Sequence, residues 1–123
     1  MSYKKYEIIL LIFTERFMSK AKTLDQAYEQ ILSELLVTFL KKHKDYGKGN
    51  ILSVKELGIS MRISEKVERL KHLLLKEEMG EAPANESIED SWTDIAVYAI
   101  LARLLRNGQF EKLSVDPKKM ENL

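Results

Sequence analysis

The fold is decided by the stretch 59–74, which reads ISMRISEKVERLKHLL. Its apolar residues recur at intervals of three and four, a spacing that places side chains on one face of an α-helix. Gly80 and Pro83 end this pattern, because both residue types interrupt helices. We therefore predict a helix over about 59–79 with a buried stripe made of Ile59, Ile63, Val67, Leu70 and Leu74.

A further helix follows the turn that contains Gly80 and Pro83. Asn85 or Ser87 is its predicted N-cap, and Asn107-Gly108 ends it after about Arg106. Trp92, near its start, is expected in the core. The connection to the preceding helix is short, so the two helices should lie antiparallel as neighbours.

Two more helices are predicted on the N-terminal side. Thr23-Leu24-Asp25-Gln26 has the spacing of a capping box and begins a helix that ends in the basic cluster 41–44. An earlier helix is predicted over about 3–20. The apolar run 8–13 within it is interpreted as a buried helical segment, with a strand as the alternative. Between 44 and 59 we predict a loop over 45–50 and then a short helical turn, Ser53 to Leu57, that stops at Gly58.

These elements predict an all-α protein with the organisation of a four-helix up-down bundle. Residues 1–109 form one helical domain, and residues 110–123 form a short, charged and frayed tail. We expect a homodimer or a higher oligomer, because a helical hairpin of this kind rarely covers its apolar faces alone.

Composition limits the possible functions. The net charge of +1 is too small for a protein that mainly grips a polyanion, so direct nucleic-acid binding, including by a helix-turn-helix, is not favoured. The apolar run 8–13 is too short to span a bilayer, so no membrane association is expected. The chain has no cysteine, which excludes thiolate chemistry and suits a cytoplasmic location.

Acidic residues on the two C-terminal helices form the first candidate site. Glu86, Asp90 and Asp94 are spaced four apart and share one helical face. Asp94 also adjoins the apolar run 95–102, and a carboxylate at the edge of a buried segment needs a compensating Arg, Lys or metal ion. Counting outward from the turn places Glu68 nearly level with Asp94, and Glu65 nearly level with Tyr98.

Two interpretations of these charges remain open. In the first, the carboxylates converge on Mg²⁺ or Mn²⁺, the metals that an all-carboxylate ligand set prefers, and nearby cations bind phosphates. In the second, Arg62, Glu65, Lys66 and Arg69 form a solvated face with weak internal salt bridges.

The segment 44–50 is the second candidate site. Gly47 and Gly49 allow backbone amides to approach an anion, Lys44 and Lys48 supply charge, and Tyr46 can stack on a base. The alternative is a glycine-rich connector between helices.

Several of these residues together resemble the nucleotide-modification-associated domain family, a small helical domain of phages and prokaryotes. The resemblance spans 39–105. The residues that carry it are Lys44-Asp45-Tyr46-Gly47, Asn50, Gly58 through Arg62, Glu65-Lys66, Arg69-Leu70, Glu86-Ser87, Asp90, Asp94 and Tyr98. This family is similar to the all-α MazG-like nucleoside triphosphate pyrophosphohydrolases.

The resemblance implies a Mg²⁺-dependent protein that binds a dNTP or modified dNTP and serves nucleotide or DNA base modification. In the MazG-like group, Mg²⁺ is held by carboxylates on two helices, and water cleaves the α–β phosphoanhydride. Glu65 and Glu68 match the first carboxylate pair. The second pair differs, because the partner of Asp94 is Asp90, while Ser91 occupies the position three residues before Asp94. Whether hydrolysis is retained stays open.

The resulting expectations assign roles to twelve residues. The expected metal ligands are Glu65, Glu68, Asp90 and Asp94, with Glu86 as an outer ligand. The expected substrate-binding residues are Lys44, Arg62, Lys66 and Arg69 for phosphates, Tyr46 and Asn50 for base or sugar, and Tyr98 beside them. The alternative function is a non-catalytic helical interaction module, such as a phage or prokaryotic accessory protein.

Overall fold

A computed structural model describes residues 20–82 and 87–123 of the chain. The described part is all-helical and contains no strand, which confirms the predicted fold class. Its helices are α1 (Leu24–Tyr46), α2 (Gly49–Glu78), α3 (Ile88–Arg106), α4 (Gln109–Lys112) and α5 (Pro117–Met120). The predicted helix over 3–20 lies outside the described residues.

The described residues divide into two compact units, the first made of 20–47 and Ser114–Leu123 and the second made of 48–82 and 87–113. In the first unit, α1 begins where the capping signal predicts, since the Thr23 hydroxyl accepts a hydrogen bond from the Gln26 amide at 3.3 Å. The Gln26 side chain accepts from the Lys22 amide, one residue before the position of an ideal capping box. The short helix α5 packs against α1.

The second unit is built on α2 and α3, which pack against each other as antiparallel neighbours. Ser87 is the N-cap of α3, and its hydroxyl accepts from the Asp90 amide at 3.0 Å. The buried side chains of this unit are Ile51, Ile59, Leu70, Ser91, Val97, Leu101 and Phe110. Two members of the predicted stripe, Ile59 and Leu70, are therefore core residues.

The predicted C-terminal tail is partly folded rather than frayed. Phe110, on α4, is only 5% exposed, and α4 packs against α3. The half-buried Lys48 ammonium lies 5.9 Å from the centre of the Phe110 ring and donates to the carbonyl oxygens of Glu111 and Leu113. A lysine at this position stabilises the carboxyl end of the short helix, where unpaired carbonyl groups carry partial negative charge.

The predicted loop over 45–50 is much shorter in the structure. Helix α1 continues to Tyr46 and α2 begins at Gly49, so only Gly47 and Lys48 connect them. Gly47 has φ 64° and ψ −153°, a conformation that side chains disfavour, and its amide donates to the His43 carbonyl at 2.8 Å. Gly47 therefore ends α1 in a conformation that favours glycine.

Helix α2 is sharply kinked at Lys55, whose backbone has φ 61° and ψ −177°. This region of the backbone map is populated almost entirely by glycine, and it costs another residue about 1–3 kcal/mol. The short segment 49–54, which we call the α2 arm, therefore leaves the axis of the main helical segment 56–78. The predicted stop at Gly58 is wrong, because the helix breaks three residues earlier and continues through the glycine.

Gly58 is nevertheless essential to the kink. A Cβ atom at this position would lie 2.6 Å from the Cβ of Val54, which is closer than real Cβ atoms approach. Val54 belongs to the α2 arm, and the contact arises because the kink at Lys55 turns the arm towards the following helical turn. Only glycine leaves room for this approach.

Among the described residues, no helix combines the length and the apolar character needed to cross a bilayer.

We expect Gly58→Ala to lower the free energy of unfolding by about 1–3 kcal/mol, because the added methyl group overpacks against Val54. Gly49→Ala is the matched control, since nothing lies within 4 Å of a Cβ at Gly49 and its φ is not positive. Urea unfolding followed by far-UV circular dichroism measures both. Equal stabilities of the two variants would contradict the close approach.

We expect Lys55→Gly to raise the free energy of unfolding by about 1 kcal/mol, because glycine adopts the backbone angles of residue 55 without strain. Lys55→Ala keeps the Cβ atom and removes the same side chain, so it should give no such gain. If both variants change stability equally, the effect comes from the lysine side chain and not from the backbone.

Candidate functional site

Five polar residues from separate parts of the second unit meet beside the α2–α3 contact. They are Asn50, Arg62, Lys66, Asp94 and Tyr98, and we call them the Arg62 cluster. Asn50 comes from the α2 arm, Arg62 and Lys66 from the main segment of α2, and the other two from α3. The cluster holds two cations and one carboxylate, and therefore a surplus of positive charge.

Lys66 and Asp94 form the ion pair of the cluster. The Lys66 ammonium donates to Asp94 Oδ2 at 2.9 Å, and the side chains are only 19% and 23% exposed. The requirement that Asp94 find a compensating cation is thus met by a lysine from the neighbouring helix. Because the pair is partly shielded from water, it should be stronger than a fully solvated one.

Arg62 is held by partners on both sides. One terminal nitrogen donates to the Asn50 Oδ1 at 3.2 Å, and the other lies 3.5 Å from the Tyr98 hydroxyl. The guanidinium carbon is 5.9 Å from the centre of the Tyr98 ring, within the range of a cation–π contact. These contacts fix the orientation of a group whose remaining N–H donors suit a planar or tetrahedral anion.

The kink at Lys55 is what brings Asn50 to Arg62. The two residues are 12 apart in sequence. In a straight helix that separation corresponds to about 18 Å along the axis, which is more than the two side chains can span. Their hydrogen bond therefore requires the α2 arm to fold back towards the main segment.

The structure gathers four of the seven predicted substrate-binding residues, namely Asn50, Arg62, Lys66 and Tyr98. Arg69 is exposed and takes no part in the contacts of the cluster. Lys44 and Tyr46 belong to the first unit, where the Lys44 ammonium donates to the Leu123 carbonyl oxygen at 2.6 Å and Tyr46 is 69% exposed. Lys48, also considered as an anion ligand, donates instead to two backbone carbonyl groups.

The predicted metal ligands do not gather in the same way. Glu65 and Asp90 are exposed, Glu68 pairs with Lys71 at 3.1 Å, and Asp94 pairs with Lys66. Within 20–82 and 87–123, no group of three or more His, Asp or Glu side chains is placed to hold a metal ion. Glu86 lies outside the described residues.

The carboxylates of Glu65, Glu68, Asp90 and Asp94 therefore do not converge on one point in this arrangement. Every buried side-chain nitrogen or oxygen atom among them has a hydrogen-bond partner, so no buried group there is left in need of a ligand. The position beside Asp94 where a cation was expected holds the Lys66 ammonium.

The reason is the rotation of α2 about its axis. The sequence placed Glu68 level with Asp94, and the structure places Lys66, only two residues away, at that level. Successive residues are rotated by about 100° around the helix axis. Two residues that are two positions apart, such as Lys66 and Glu68, therefore point to nearly opposite sides of α2. The pairing of Lys66 with Asp94 could have been predicted from the sequence. Lys66 lies next to the buried residues Ile59 and Leu70 on the helix surface, whereas Glu68 lies further around the helix.

Comparisons with known proteins identify no relative. No family model matches the chain, and neither a curated protein nor a solved structure shows significant similarity to it.

We expect Lys66→Met to lower the free energy of unfolding by about 1–3 kcal/mol, because the partly buried Asp94 loses a charged hydrogen-bond donor. Lys71→Met is the matched control, since the Lys71–Glu68 pair is 64% and 70% exposed. The control should change stability by less than about 0.5 kcal/mol. Chemical unfolding measures both variants, and a similar cost for the two would contradict a special role for the Lys66–Asp94 pair.

Proposed function

We propose that this protein binds a nucleotide and that the Arg62 cluster holds its phosphate groups. The observation that supports the proposal is the half-buried Arg62 guanidinium, which donates to the neutral side chains of Asn50 and Tyr98 and lies beside the Lys66–Asp94 ion pair. An anion placed there would balance the charge. The interaction would be stronger than at an exposed surface, because partial burial weakens screening by water.

The two cations would have different tasks. Arg62 has five N–H donors in a flat, fixed arrangement, and two of its contacts, with Asn50 and Tyr98, orient that plane. It would therefore select the geometry of the phosphate. Lys66 is a compact point charge with three donors, one of which goes to Asp94. Lys66 would attract the phosphate groups electrostatically without imposing a fixed orientation on them.

The resemblance to the nucleotide-modification-associated domain family supports a nucleotide as the phosphate-bearing ligand. Under this proposal the chain is a bundle-like relative of the MazG-like group, and its ligand is a dNTP or a modified dNTP. The proposal stops at binding, because the described carboxylates do not gather into a metal site. A divalent ion is therefore a variable of the experiment and not a part of the proposed site.

A second candidate function is the non-catalytic helical interaction module. The observation that favours it is the separation of the four described metal-ligand candidates, since Glu65 and Asp90 are exposed and Glu68 and Asp94 each pair with a lysine. This candidate predicts that nucleotides leave the protein's thermal stability unchanged.

We expect dNTPs to bind the wild-type protein and to raise its melting temperature, as a ligand specific for the native state does. Isothermal titration should be run with canonical and base-modified dNTPs, and with inorganic triphosphate and the free nucleosides, each with and without Mg²⁺. Nucleoside and inorganic triphosphate separate recognition of the base from recognition of the phosphates. Pyrophosphate release from the same dNTPs tests hydrolysis independently.

We expect Arg62→Met to weaken dNTP binding by about tenfold or more, because a charged hydrogen-bond donor to phosphate is lost. Lys71→Met removes an exposed cation from the same helix and should change the affinity by less than about threefold. Absence of binding by every dNTP, or equal effects of the two variants, would refute the proposed site.

A further inference from the structure

Helix α3 has an outward face that no described residue of the second unit covers. Trp92 is 54% exposed and Ile100 is 44% exposed, although both are large and apolar. Ala99 is exposed as well, and Ala96 is half-buried. These residues recur at intervals of three and four, so they line one side of the helix.

This face is opposite the side of α3 that packs in the second unit. The buried residues Ser91, Val97 and Leu101 lie on the inner side, and Asp94 and Tyr98 lie there with them in the Arg62 cluster. Helix α3 is thus apolar on both sides along the uncharged run 95–102. A helix that is apolar all round is normally buried all round.

Charged residues lie at both ends of the outward face. Glu89 precedes Trp92 by one turn, Arg103 follows Ile100 by one turn, and both charges are exposed. The pattern is symmetric about Ala96, since Trp92 and Ile100 are each four residues from it and Glu89 and Arg103 are each seven. If two such helices pack antiparallel with their Ala96 residues adjacent, a residue a given number of positions before Ala96 in one helix lies opposite the residue the same number of positions after Ala96 in the other.

We propose that the outward face of α3 is a dimer interface whose partner is a second copy of this chain. A two-fold axis passes beside Ala96, and the two α3 helices run antiparallel across it. Trp92 of one copy then packs against Ile100 of the other, and Glu89 of one copy faces Arg103 of the other. The small Ala96 side chains at the centre allow the helices to approach closely.

The charges favour this arrangement over a parallel one. In a parallel pair, Glu89 would face Glu89 and Arg103 would face Arg103, and such like-charge contacts oppose association. The antiparallel pair makes two attractive contacts, which is the self-complementary pattern of a two-fold interface. Trp92 and Arg103 also belong to residue types that are enriched at interface hot spots.

The expected dimer is of modest affinity. One helix face per subunit buries less than the roughly 800 Å² per partner of a standard interface. Association should therefore depend on concentration over an accessible range. The interface and the Arg62 cluster lie on opposite sides of α3, so the dimer and nucleotide binding are tested independently.

The first experiment measures association directly. Sedimentation equilibrium of the full chain over a wide concentration range should show a monomer–dimer equilibrium. Trp92 is the only tryptophan of the protein, so its emission should shift to the blue as the dimer forms. Ile100→Lys should weaken the dimer by about tenfold or more, because it places a charge in an apolar contact.

Leu57→Lys is the matched control, since Leu57 is a more exposed apolar residue, at 74%, on α2. It should leave the dimer constant within about twofold. Circular dichroism checks that each variant is folded, which is expected because the substituted side chains are exposed. A wild-type chain that stays monomeric at all concentrations overturns the proposal, and so does a dimer that both variants weaken equally.

Charge reversal tests the antiparallel register. Glu89→Arg alone places two pairs of like charges across the interface and should weaken the dimer by roughly tenfold. Adding Arg103→Glu restores opposite charges at both contacts and should recover most of the wild-type affinity. If the double variant is as weak as the single one, the proposed register is wrong.

Discussion

The Lys66–Asp94 ion pair is the interaction on which the arrangement of the second unit depends. Asp94 lies where α3 passes from its polar first turns into the apolar run 95–102, beside the contact between α2 and α3. A carboxylate in that position must be neutralised, and the 2.9 Å contact with Lys66 does this. The pair also fixes which residues of α2 and α3 lie level with each other. With residue 66 opposite 94, Arg62 comes opposite Tyr98, one turn further along both helices.

The kink at Lys55 adds the third part of the site. It stores backbone strain at a residue that is not glycine, and it brings Val54 so close to residue 58 that only glycine fits there. The same turn carries Asn50 back to Arg62. Strain of this kind persists where surrounding contacts determine the conformation, and it is common at functional sites. A strained turn that completes a polar cluster fits the proposed binding role.

The two sides of α3 differ in chemistry, one being polar and the other apolar. The inner side contributes the polar partners of Arg62 and Lys66, while the outer side presents Trp92 and Ile100 to solvent. A charged ligand and a second protein chain bind to surfaces of different chemistry. The ligand is attracted by unbalanced charge, whereas the protein chain is stabilised by burial of apolar area. A single helix can supply both, since its faces are separated by half a turn.

The sequence by itself determined the features that are local to each helix. Hydrophobic spacing predicted the all-α class. Thr23 marked the start of α1, and Ser87 was one of two predicted N-caps for α3. The apolar edge at Asp94 predicted a compensating cation. Counting from the turn came within two residues of the level at which α2 meets α3. Tertiary structure decided the rotation of α2, the exposure of Trp92 and the kink at Lys55. Capping and periodicity act over a few neighbouring residues, whereas rotation and kinks are set by packing between residues that are distant in the chain.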